Sequence, residues 1–218
     1  MPGPARLFRA QPRVDPRRKP KVLRRAKSEA KRETILQAAI TVIAKEGVHG
    51  ATTRKIAAEA GINLATLHYQ FESKETILLS VLGHLTAHYR QELDMAFSKP
   101  EPLRDRIDHL LTFIWSEVQR APEEQLTLYD LTLYALTTPG SEWMGKKKYE
   151  ELLLLYRDAL ASSTEITTGS LDIDLDSLAN FVFTGFVGTV LQWLATANTP
   201  RARQQIQNLI VAAQRMYL

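Results

Sequence analysis

The segment Thr53–Gln70, TRKIAAEAGINLATLHYQ, places polar donors and small side chains at helical spacing. Read as two short helices joined at Gly61, it turns Ile56, Ala57, Ile62 and Leu67 to one side. Ala57 is small where the helices must cross, and Gly61 is the residue type that best tolerates positive φ in so short a turn. The opposite side carries Leu64, Ala65, Thr66, His68 and Tyr69, and no carboxylate occurs from Gly61 to Phe71. The chemistry on offer is hydrogen bonding and apolar contact beside an anionic surface, which suits a helix entering a DNA major groove. The pattern alone also fits a plain helical hairpin.

Charge points the same way. The 218-residue chain has a net charge of +4, but residues 1–32 hold twelve Lys/Arg against Asp15 and Glu29. That end therefore carries +10 and the remainder −6, so the N-terminal end is the one expected to meet a polyanion. Five of the ten prolines fall in the first 20 residues and oppose both a transit helix and packed structure. Residues 1–26 are read as a flexible basic arm, either a solvated tail or an arm on DNA phosphates or a minor groove.

Other chemistries find little support. With no cysteine, disulfides, thiolate nucleophiles and cysteine-ligated metals are excluded. There is no GxSxG and no phosphate-cradling glycine loop, so no catalytic residue and no cofactor is assigned. His84 and His88 stand four apart with Glu92 continuing the row, and His109 is a possible fourth ligand. Leu85 follows His84, so the HExxH context is missing. They are read as solvated or core histidines, and no metal site is assigned.

The elements that position these residues are all helical. Prolines 100, 102, 122, 139 and 200 punctuate segments of helical period. Helices are expected at 27–46, 53–60, 64–70, 73–97, 103–120, 122–137, 142–162, 174–197 and 200–217. Thr52 or Thr53, Asn63, Ser73 and Asp174 or Asp176 can cap helix starts, and Gly47 can close the first helix in a left-handed conformation. Ser177–Pro200 has no charge and is long enough to span a bilayer. Its Asn180, Gln192, four threonines and two mid-segment glycines favour instead a helix buried on its own body and on a second copy. Gly185, Gly188 and Thr189 would permit close approach there.

Residues 31–82 resemble the N-terminal domain of the TetR family of bacterial transcriptional repressors. The resemblance is carried by the amphipathic first helix (Ile35, Ala39, Val42, Ile43) and the Gly47…Gly50-Ala51-Thr52-Thr53 entry. It continues through Ile56-Ala57…Ala60-Gly61-Ile62, Leu67-His68-Tyr69-Gln70-Phe71 and Ser73-Lys74-Glu75. It implies an all-α fold: an N-terminal three-helix helix-turn-helix DNA-binding domain (27–75) plus a C-terminal helical ligand-binding and dimerisation domain (76–218). It also implies roles. Thr53 would bond a phosphate, and Arg54 a base edge or phosphate. Leu64, Ala65 and Thr66 would face bases, and Tyr69 would give its hydroxyl to a phosphate. Lys74 would add charge where a helix dipole already favours an anion. Two positions depart from the family pattern: His68 stands where tyrosine is common, and Gln70 where histidine is. Both side chains can still hydrogen-bond DNA.

For the body, the resemblance implies a cytoplasmic homodimer through helices near 174–197 and 200–217, nucleoid-associated when bound to DNA. The stripe Ile206, Leu209, Ile210 and Ala213 would face the partner, and helix 73–97 would carry motion between domains. Phe113, Tyr129, Leu133, Tyr149 and Phe183 are the expected pocket residues for an apolar, aromatic or polycyclic small-molecule effector. The expected function is a ligand-responsive repressor on a palindromic double-stranded DNA operator. The alternatives are an activator of the same fold and a nucleic-acid-associated or adaptor protein with no small-molecule effector.

Overall fold

A computed structural model describes residues 21–217, with side chains placed from residue 27. Among the described residues there are ten helices and no strand. They are α1 (Lys21–Gly50), α2 (Thr53–Glu59), α3 (Leu64–Gln70), α4 (Lys74–Ala96), α5 (Leu103–Arg120), α6 (Pro122–Thr137), α7 (Glu142–Ala161), α8 (Thr164–Thr168), α9 (Leu175–Thr196) and α10 (Thr199–Tyr217). The fold class is all-α, as the sequence predicts.

Three local features differ from that reading. α1 begins at Lys21, directly after Pro20, so residues 21–26 are helical backbone; the rest of the basic arm lies outside the described residues. Gly47 has φ 75° and ψ 164°. Its φ is positive but its ψ is extended, so it kinks the chain before a last turn to Gly50 rather than ending the helix. α8 was not expected, because five residues are too few to show a period.

Capping follows the sequence more closely. Thr52, Asn63, Ser73 and Asp174 accept the amide protons of Lys55, Thr66, Thr76 and Ser177. Each satisfies one of the donors a helix start leaves free. Asn198 adds a cap for α10 by accepting from the Arg201 amide at 3.0 Å.

The core of the N-terminal end joins α1, α2, α3 and the first half of α4. Ile35, Ile43, Ile56, Leu67, Phe71 and Leu78 are at most 2% exposed, each burial contributing roughly 1.5–3 kcal/mol. α4 then runs on to α7, where Arg90 pairs with Asp158 at 2.9 Å. At its far end the wholly buried Arg106 donates to the carbonyls of Phe97 (3.3 Å) and Lys99 (2.8 Å). Its Nε lies 2.9 Å from Glu101, which fixes the corner between α4 and α5.

α9 is apolar and long enough to cross a membrane by length and composition. In the fold its Leu178, Val182, Phe186 and Val190 are buried. Gly185 serves the protomer itself, since a Cβ there would come within 2.6 Å of Leu209 on α10, whereas Gly188 faces open space. The α10 stripe is likewise intramolecular: Ile206, Ile210 and Ala213 are buried within their own chain. That corrects the partner-facing reading, because the same residues are needed to seat α10 on α9 and α5.

Candidate nucleic-acid interface and ligand cavity

The helix-turn-helix closes through backbone bonds: the Ile62 amide donates to Ala57 at 3.0 Å, and the Gly61 amide to Ala58 at 3.1 Å. Gly61 has φ 65°, which a side-chain-bearing residue adopts only with strain. Ile56, Ala57 and Leu67 are buried and Ile62 is half-buried. The outer face is largely exposed among the described residues. Arg54, Ala65 and His68 are exposed, Thr53 and Thr66 are half-exposed, and Tyr69 is 85% exposed. Leu64 is half-buried against the core, so only part of it is offered outward.

Neighbouring cations are spent on holding this unit in place. Lys55 pairs with Glu46 and donates to the Gly50 carbonyl at 3.2 Å. Arg32 on α1 donates to the Gln70 carbonyl at 2.7 Å and lies 4.2 Å over the Phe71 ring. It thereby ties the C-terminal end of α3 to α1, a positioning role the sequence reading missed. Gln70 is turned the same way, its side-chain oxygen accepting from Ser28 at 3.1 Å.

Lys74 departs from its expected place on a phosphate. Its ammonium donates to the Val48 carbonyl at 2.6 Å and lies 6.0 Å from the Tyr134 ring. Burial lowers its pKa, with Glu75 and Asp130 opposing the shift. The Val48 carbonyl lies in the last turn of α1, where carbonyls have no intrahelical partner, and Lys74 satisfies it. The histidines do not converge either. His84 contacts Gln37 and Glu33 on α1, while His109 sits 2.6 Å from Glu101.

Between α4, α5, α6, α7 and α9 lies a narrow apolar cavity of about 50 Å³, room for a few waters. Tyr129, Tyr149 and Phe183 line it, as predicted from sequence. Phe113 and Leu133 do not: Phe113 packs on Phe97 with ring centroids 5.9 Å apart, and Leu133 is 60% exposed. Leu133 lies four positions from Tyr129, on the same side of α6, yet it is exposed and outside the cavity lining. Tyr129 donates to the Val187 carbonyl at 2.6 Å, and Gln125 donates to the Tyr89 hydroxyl at 2.6 Å. Burial raises the pKa of both tyrosines, so they stay neutral donors. Lys148, not anticipated, also enters this wall; a lone lysine in a run of three gives no sign of which one is inward.

Comparison with known proteins places this geometry. Residues 35–81 match the family described as bacterial regulatory proteins, tetR family. The HTH-type transcriptional repressor NicS of Pseudomonas putida is 34% identical over 104 residues, which is 46% of this chain and 48% of that protein. A BetI regulator of Brucella anthropi is 32% identical over 93 residues, 43% of this chain and 48% of that protein. The chain thus matches about half the length of these two relatives. The HTH-type nicotine-responsive transcriptional repressor HdnoR of Paenarthrobacter nicotinovorans is 21% identical over 182 residues, 84% of this chain and 93% of that protein. Among solved structures, FadR of Bacillus subtilis in complex with stearoyl-CoA superposes with TM-score 0.68 at 18% identity, covering 82% of this chain and 97% of that one. GusR of Salmonella enterica gives 0.67 at 16% identity, covering 86% and 95%. The fold is shared with these solved structures, and residues 35–81 carry the match to the bacterial regulatory family. The family match thus covers the helix-turn-helix segment, and the likeness to solved structures extends the fold over the rest of the described chain.

Proposed function

We propose that the protein is a dimeric, ligand-responsive transcriptional repressor that binds a palindromic operator and is released by a small apolar or aromatic effector. The observation that carries this is the outward face of α3 and the start of α2. Arg54, Ala65, Thr66, His68 and Tyr69 are presented without a carboxylate among them, on a unit that Arg32 and Lys74 hold rigid. Repressors among the relatives, and a structural neighbour that holds stearoyl-CoA, support the reading.

The second copy docks on the outer face of α9 and α10. Gly188, Leu191 and Ala195 share one side of α9, and Leu191 and Val211 are 52% and 43% exposed. A two-fold dimer there sets two α3 helices one turn of DNA apart, about 34–36 Å. The effector site is the cavity, and α6 is the direct route outward. α6 lines the cavity through Leu128 and Tyr129, and holds the last turn of α1 through Asp130 and Tyr134. Selection of binding sites from random duplex DNA tests the reading. An inverted repeat with half-sites one helical turn apart supports it, and recovery of no preferred sequence contradicts it.

A further inference from the structure

Lys148 is 4% exposed. Its ammonium donates to the Leu128 carbonyl at 2.8 Å and to the Thr132 hydroxyl, both on α6. It lies 4.9 Å from the Tyr149 ring and 5.6 Å from the Tyr129 ring. No carboxylate among the described residues offsets its charge, and burial alone lowers its pKa to about 8. It therefore remains mostly protonated at neutral pH. An ammonium has three donors, of which two are used here.

A second polar group lies in the same wall. Tyr156 is 6% exposed, lines the cavity and packs its ring on Phe183 and Phe186. Its hydroxyl makes no hydrogen bond among the described residues, and burial raises its pKa. It stands eight residues beyond Lys148 on α7, about 12 Å along the axis. Burying a charge without a counter-charge is unfavourable, and the Tyr156 hydroxyl has no protein partner among the described residues. Both sit in the wall of one cavity that is otherwise apolar, so a ligand there can complete both.

We propose that this cavity takes an apolar organic anion, a carboxylate on an acyl or aromatic skeleton, with Lys148 as its counter-charge. The skeleton lies along Leu152, Leu155, Phe183 and Phe186 toward the Tyr156 hydroxyl. A cationic ligand is disfavoured, because the rings that could cage it already face the ammonium of Lys148. The inference rests on the effector reading of the cavity and gives it a mechanism. The Lys148 ammonium ties α7 to α6, and a carboxylate competing for it loosens that tie. The cavity is also too small for such a skeleton as it stands, so entry moves its walls.

The test is calorimetric titration of the full chain with decanoate and 4-phenylbutyrate, against the matching primary amides and decylamine. The acids should bind the wild type at least roughly tenfold more tightly than their amides. Lys148→Met should erase that preference while keeping amide affinity, Lys148→Arg should retain it, and Tyr156→Phe should weaken both series. Equal affinity for acid and amide, tighter binding of the amine, or no binding of any acid at millimolar concentration overturns the proposal. Operator-DNA anisotropy on the same samples separates the two readings. Acid preference without DNA recognition sinks the repressor and keeps the site. DNA recognition without acid preference does the reverse.

Discussion

Asp130 on α6 accepts the amide proton of Val48, the residue that follows the kink at Gly47. Lys74 on α4 donates to the carbonyl of the same Val48 at 2.6 Å. One residue in the last turn of α1, before the helix-turn-helix, is thus held from both sides by helices that line the cavity. A Cβ at Gly47 would lie 3.3 Å from the Asp130 carboxylate, so this position needs glycine for its φ and for its neighbour.

Asp130→Ala leaves the Val48 amide without its acceptor. The expected cost is about 1–3 kcal/mol, read as a fall in Tm of about 2–4 °C per kcal/mol for a chain of this size. Operator binding should persist at low temperature but respond less to effector. An unchanged Tm together with an unchanged effector response would remove α6 from the route.

Lys148 makes stability depend on pH with a defined sign. Its pKa is lowered from 10.5 to about 8, so between these values the unfolded chain binds more protons and stability rises with pH. Below pH 8 the penalty is fully present, about 3 kcal/mol. Tyr129 and Tyr149 are the titratable side chains that face it. Lys148→Met should therefore raise Tm at pH 7, and its advantage over wild type should shrink by pH 9. A constant gap between the two melting curves would contradict the assignment.

Arg106→Ala leaves the Glu101 carboxylate with His109 alone as its partner among the described residues and frees two carbonyls at the α4–α5 corner. The expected loss is about 3–5 kcal/mol, measured by denaturant unfolding. A loss below 1 kcal/mol would mean that the corner does not depend on this buried cation.

The uncovered side of α9 and α10 carries the dimer prediction. Leu191→Glu should give a monomer by light scattering and weaken binding to the palindrome. Gly185→Ala should instead destabilise each protomer, because its Cβ meets Leu209. A Leu191→Glu protein that stays dimeric places the interface elsewhere.

Much of this was legible in the sequence, and the reasons are particular. Ile35, Ala39, Val42 and Ile43 repeat at helical spacing and are all buried. Thr52, Asn63 and Ser73 cap because short side-chain oxygens at helix starts have little else to do. The misses share a cause: direction depends on tertiary context that a period does not encode. Lys74 and Lys148 turn inward for carbonyls set by other helices, and Gly185 approaches Leu209 of its own protomer, where the sequence left own body and second copy both open. Of five residues picked for the pocket, Tyr129, Tyr149 and Phe183 reach it, because aromatics on neighbouring helices in a bundle of this size tend to meet. Phe113 packs on Phe97 instead, and Leu133 is exposed.

The most direct test is fluorescence anisotropy of the protein on DNA flanking its own gene, comparing wild type with Arg54→Ala and Tyr69→Phe at two salt concentrations. Both side chains lie on the exposed face of the helix-turn-helix, so the substitutions should leave folding intact. The account predicts tight, sequence-selective binding by the wild type. Arg54→Ala should lose about 1–3 kcal/mol, and Tyr69→Phe should weaken binding uniformly across sequences. Binding that ignores sequence, fades with salt and is equal in all three proteins would contradict it.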